Sequence, residues 1–141
     1  MHIRHVQAVR HLPLLGGQTN TTAALSLLCT AMFQSSAGDR PSAPNVAVLV
    51  ANGESTLDAD RVSAEAAACR DAGVVLVVVA ADRTLSNSAE LRSIVSPPTE
   101  RNYFVTSSLS TLPNLTQSNF VEMLLCPGLV FQLDQVTFPR R

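Results

Sequence analysis

The chain has 141 residues, 46% of them apolar, and a formal net charge of −1, which suits one domain with a single core. That balance excludes a disordered chain. Its ten basic residues are all arginines scattered along the sequence, which excludes a basic stripe for nucleic acid or an anionic membrane.

The N-terminal "MHIRHVQAVRHLPLL" is interrupted by charges, and "LPLL" is too short for the core of a secretory signal; the segment fits the end of a helix. His2, His5 and His11 have no acidic or thiol company and read as exposed helix residues. After "GGQTNT", the segment "TAALSLLCTAMF" repeats Ala24, Leu27, Leu28, Ala31 and Met32 at helical spacing, and Thr19 to Thr22 supply N-cap chemistry. A polar linker, "QSSAGDRPSAP", leads into the apolar strand "NVAVLVA". A helix is expected from about Leu57 to Asp71, closed by Gly73.

The next strand, "VVLVVVAA", is apolar on both faces, as a covered parallel strand should be. Its parent run, "AGVVLVVVAA", is about half as long as a bilayer span requires. The helix "SNSAELRSIVS" is stopped by Pro97 and Pro98 and followed by a strand, "NYFVTSS", and a helix from about Leu112 to Cys126. This alternation predicts a doubly wound α/β fold, mainly parallel, with helices on both faces. Three cysteines occur without a close-spaced pair. Cys29 and Cys69, in apolar helical patterns, read as inert buried thiols; Cys126, beside "PG", is the better disulfide candidate.

Ligands in such sheets gather beyond the carboxyl ends of the strands. The polar loops expected there, "GGQTNT" and "ANGES", have neither a Walker-type GK[ST] nor a GxGxxG pattern. They are rich in oxygen and poor in nitrogen or sulfur donors, which suits Mg²⁺ better than zinc. A helix cap and a strand-end turn would use the same residues.

The stretches "LPLLGGQTNTTAAL", "NVAVLVANGEST", "AGVVLVVVAADRTLSNSAELRSIVS" and "NFVEMLLCPG" resemble the C-terminal two-thirds of a von Willebrand factor type A domain over roughly residues 6–128. The resemblance implies an incomplete fold of that kind, non-catalytic and extracellular, binding a protein ligand such as the matrix protein collagen. The family's adhesion site holds Mg²⁺ through a DxSxS loop, a threonine and an aspartate in a "TDGxS" turn. Carried over, the threonine falls on Thr19 and the aspartate on Asn52, with Gln18, Glu54 and Ser55 on the partner-facing rim. Asn52 is an amide, and the DxSxS loop with the first three strands is missing from this chain. The resemblance therefore implies a degenerate site in a fragment or truncated product, with "NVAVLVA" left as an open edge.

In the tail, 129–141, "LVFQLD" resembles the family's first strand. It reads either as the start of a following domain or as a strand filling the empty slot, which would bring Asp134 beside Thr19 and Asn52. Val136 and Phe138 stand where the serines of DxSxS would be. Asn20 and Asn114 match the glycosylation pattern; helix capping suits Asn20, and Asn114 is the better acceptor. Asn52-Gly53 is a dipeptide prone to deamidation.

Two other function classes compete. A small doubly wound enzyme or nucleotide-binding domain would use the same strand ends, but the sequence offers no phosphate loop and no histidine beyond residue 11. A ligand-free truncated product would depend on a missing segment for its folded state.

Overall fold

The computed structural model describes His11, Pro13 and residues 16–111. Helix α1 (Thr21–Leu27) continues as a π-turn over Leu28–Met32 and is followed by strand β1 (Asn45–Ala51). Helix α2 (Val62–Asp71), strand β2 (Val74–Ala80) and helix α3 (Ala89–Ile94) come next. A single turn, α4 (Thr99–Asn102), leads directly into strand β3 (Tyr103–Val105). The expected helix over 112–126 and the 129–141 tail lie outside the described residues.

The three strands form a parallel sheet in the order β1-β2-β3. β1 and β2 are in register along their whole length, from Asn45 opposite Val74 to Ala51 opposite Ala80. Only Val78–Ala80 pair with β3. Nearer the start of β2, Ser96 supplies the missing partner: its amide donates to the Leu76 carbonyl at 2.9 Å, and its hydroxyl accepts from the Leu76 amide at 3.0 Å. This explains why "NYFVTSS" yields a strand of three residues. Asn102, expected in that strand, instead donates its side-chain amide to the Ser96 carbonyl at 2.7 Å.

The central core lies between the sheet and α1, α2 and α3. Leu25, Val62, Ala66, Leu91 and Ile94 pack with Val74, Leu76, Val78 and Ala80, which share one face of β2 by the alternation of a strand. Val77 and Val79, on the opposite face, are also buried, so β2 is enclosed on both sides as its unbroken apolar run predicts. The Arg70 guanidinium ties α2 to α3 by donating to the carbonyls of Ser93 (2.9 Å) and Ile94 (2.7 Å), at the helix end that favours a cation. Gly73, at φ +85°, takes the left-handed conformation that closes α2.

Three expectations need correction. Cys29 and Cys69 are not separate thiols but a disulfide joining the π-turn after α1 to α2, with a Cα–Cα distance of 5.5 Å. Helical patterning locates Cys69 in the core but says nothing about a partner forty residues away. The third cysteine, Cys126, expected to be the better disulfide candidate, lies outside the described residues. Secondly, α2 starts at Val62 rather than near Leu57, because Ser55 to Asp58 are held by hydrogen bonds to Thr19 in the loop before α1 and to Thr21 and Thr22 in its first turn. Thirdly, Leu27 and Met32, part of the apolar periodicity of α1, are 60% and 58% exposed, while Thr21, Thr22 and Leu25 are buried. Met32 and Val48 line one apolar groove of about 150 Å³ with Ala24, Leu28 and Leu49. Among the described residues β1 is an edge strand, with Val48 and Val50 43% and 47% exposed.

Candidate functional site

The parallel register places the strand ends side by side. The Ala81 amide donates to the Ala51 carbonyl (2.7 Å), and the Thr106 amide donates to that of Ala80 (2.9 Å). Beyond β1 the chain bends through Asn52 and Gly53, and this turn meets the loop that precedes α1.

The two loops are stitched mainly through Thr19. Its carbonyl accepts from the amides of Thr56 (2.9 Å) and Leu57 (3.0 Å), while its own amide donates to the Thr56 hydroxyl at 2.9 Å. The Ser55 hydroxyl accepts from the Thr21 amide (3.1 Å) and donates toward the carbonyls of Leu57 (2.8 Å) and Thr19 (3.2 Å). Thr22 adds a hydroxyl bond to the Asp58 carbonyl at 2.7 Å. Asn20 is the N-cap of α1: its side-chain oxygen accepts from the Ala23 amide at 2.8 Å, and its side-chain nitrogen reaches the Asp58 carboxylate at 3.4 Å.

A second set of bonds ties the turn to α3. The Ser55 amide donates to the Glu90 carboxylate at 2.7 Å. The Ser88 hydroxyl, which caps α3 by accepting from the Leu91 amide at 3.1 Å, donates to the Glu54 carboxylate. Sequence reasoning did not identify Ser88 and Glu90, which lie 34 and 35 residues from their partners. Ser88 is recognisable as an N-cap before "AELRSI"; its link to Glu54 follows only from the parallel register.

Thr19 and Asn52 lie on these joined loops and are exposed, as is Gln18. Glu54 and Ser55, assigned to the rim, also serve inside the fold as acceptor for Ser88 and hub for Thr19 and Thr21. Asp134 and Asn114 lie outside the described residues. The fit to a hard dication is poor: Thr19 and Asn52 offer oxygen, but neither carries charge, and the neighbouring carboxylates of Glu54 and Glu90 already accept hydrogen bonds. Among the described residues no three histidine, cysteine or acidic side chains group as a metal cage would need.

At the end of β2, the Thr84 amide and hydroxyl both donate to the Asp82 carboxylate at 2.8 Å. They hold its pKa below the ordinary carboxylate value. Burial raises the pKa of Tyr103, whose hydroxyl donates to the Leu85 carbonyl at 2.5 Å. The Arg92 guanidinium, 4.8 Å from the Tyr103 ring centre, opposes that rise.

The bonds at Ser55 predict a mutational effect. Ser55→Ala should leave the Thr21 amide without its acceptor and cost about 1–2 kcal/mol in urea unfolding, with faster amide exchange at Thr21. An unchanged midpoint would remove Ser55 from its role as hub.

The family model for the von Willebrand factor type A domain matches residues 4–118. Human collagen alpha-1(XX) chain is 35% identical over 86% of this chain, and human matrilin-1 is 31% identical over 74% of it. The match spans only 9% and 20% of those two proteins. Among solved structures, proximal thread matrix protein 1 from the mussel byssus superposes with a TM-score of 0.65 at 23% identity, covering 77% of this chain and 27% of that one. Another structure of the mussel protein, with the same score and coverage, has a zinc-occupied MIDAS motif. The helix-and-parallel-strand order, the joined "GGQTNT" and "ANGES" loops and the family match agree: this chain belongs to the von Willebrand factor type A domain family.

Proposed function

We propose that the chain is a non-catalytic, protein-binding module of adhesion type, with a divalent-cation site too degenerate to hold Mg²⁺ tightly. One observation carries this reading: the loops joined through Thr19 present neutral oxygens at Thr19 and Asn52, while Glu54 and Glu90 are engaged by Ser88 and Ser55. A carboxylate in place of the Asn52 amide would attract a cation by about 4 kcal/mol per unit of its charge at 4 Å and an effective dielectric near 20, before desolvation is subtracted. The kinship with collagen and matrilin chains supports a protein of the extracellular matrix, such as collagen, as the ligand class. The Cys29–Cys69 disulfide supports an extracellular setting.

Calorimetry with Mg²⁺ tests the site. The fresh chain should bind weakly or not at all, and Asn52→Asp should bind at least about tenfold more tightly, a difference of roughly 1.4 kcal/mol. Tight Mg²⁺ binding by the unaltered chain would contradict the degenerate site. Binding to immobilised collagen, measured with and without a chelator, tests the module; the expected result is saturable binding that the chelator leaves unchanged.

A further inference from the structure

We infer that Asn52 is a site of spontaneous deamidation, and that the reaction installs a carboxylate at a position that now carries an amide. In this reaction the Gly53 backbone nitrogen attacks the Asn52 side-chain carbonyl carbon. A C–N bond forms, ammonia leaves, and a five-membered succinimide results. Water then opens the ring at one carbonyl or the other, giving aspartate or isoaspartate. Overall, water enters and ammonia departs, with no oxidant or reductant.

The attack needs an accessible side chain and an unhindered amide, and the turn supplies both. Asn52 is exposed, one residue past the last ladder position of β1. Gly53 has no side chain to block the approach, and even an added Cβ there would meet nothing within 4 Å. The backbone is held at Ala51, whose carbonyl accepts from Ala81, and again at Ser55, whose amide donates to Glu90. Between those anchors, Asn52 and Gly53 form a bend.

The other described asparagines lack this combination. Asn20 is held as an N-cap and precedes Thr21, and Asn102 is bonded to Ser96 and precedes Tyr103. Asn45 lies in β1 before Val46, and Asn87 precedes Ser88. A branched or bulkier residue after asparagine slows ring closure by crowding the attacking nitrogen.

The reaction itself stands apart from the adhesion-module reading; only its consequence for cation binding rests on that reading. Chain aged at physiological temperature in neutral buffer, then mapped by peptide mass spectrometry, should gain the mass of OH in place of NH₂ at 52 and at no other described asparagine. An isoaspartyl methyltransferase assay should turn positive in parallel. Gly53→Ala, which the open space around Gly53 accommodates, should slow the conversion severalfold while the fold persists. Asn52 unmodified after prolonged ageing, or converting equally fast in Gly53→Ala, would overturn the inference. Mg²⁺ calorimetry on aged and fresh chain separates the two claims. Tighter binding after ageing supports both, whereas conversion with unchanged binding leaves the reaction in place and removes its link to cation binding.

Discussion

Reducing the Cys29–Cys69 bond should lower the stability of this chain by about 4 kcal/mol, the largest effect expected of any single covalent change. The bond closes a loop across a sequence separation of 40, and restoring that freedom to the unfolded chain is worth about 4 kcal/mol in the chain-entropy account. For a domain of this length the melting midpoint should fall by roughly 10–15 °C. Scanning calorimetry of the native chain with and without reductant, and of the Cys29→Ser/Cys69→Ser variant, provides the measurement. The effect reaches the site because the bond clamps α1 to α2, the helices that follow the two loops joined at Thr19. Faster amide exchange at Thr56 and Leu57 after reduction is therefore expected alongside the lower midpoint. An unchanged midpoint would show that packing of Leu25 against Val62 and Ala66 holds the two helices without the bond.

Leu91→Ala is the second large effect, with an expected loss of about 3 kcal/mol. Leu91 is completely buried, wedged with Ile94 between α2 and β2, and its amide is fixed by the Ser88 cap. Truncation removes transfer energy and leaves a cavity that a helix of six residues, bonded to Arg70 at one end and Ser55 at the other, cannot collapse to fill. Urea denaturation followed by circular dichroism should show the lower midpoint without a change of slope. A loss below about 1 kcal/mol would mean that α3 shifts to fill the space, and the bond from Ser55 to Glu90 would then be expected to break.

The strands were legible because their signal is local. "NVAVLVA" and "VVLVVVAA" are runs of β-branched and small apolar residues bounded by turn formers, and the observed β1 and β2 follow them within a residue. The failures occur where tertiary bonds override local preference. Ser55 to Asp58 would serve as the opening of a helix, but Thr19 and Thr22 claim their polar groups first, so α2 begins late. β3 is short because Ser96 takes the position beside Leu76. In the site, "GGQTNT" and "ANGES" were recognisable as strand-end loops. The engagement of Glu54 by Ser88 and of Ser55 by Glu90 was not, since each link crosses more than thirty residues and depends on sheet register.

Among the described residues the sheet is open along β1. Among the described residues β1 presents seven, Asn45 to Ala51, with no charged side chain, whereas β3 at the other side offers three. Of these two edges, β1 is the longer template for strand addition. Two copies meeting antiparallel about Val48 would set Val46 against Val50 in both directions and consume both long edges at once. Such a contact is isologous and closes on itself, so pairing through this edge would give a closed dimer rather than an open fibre.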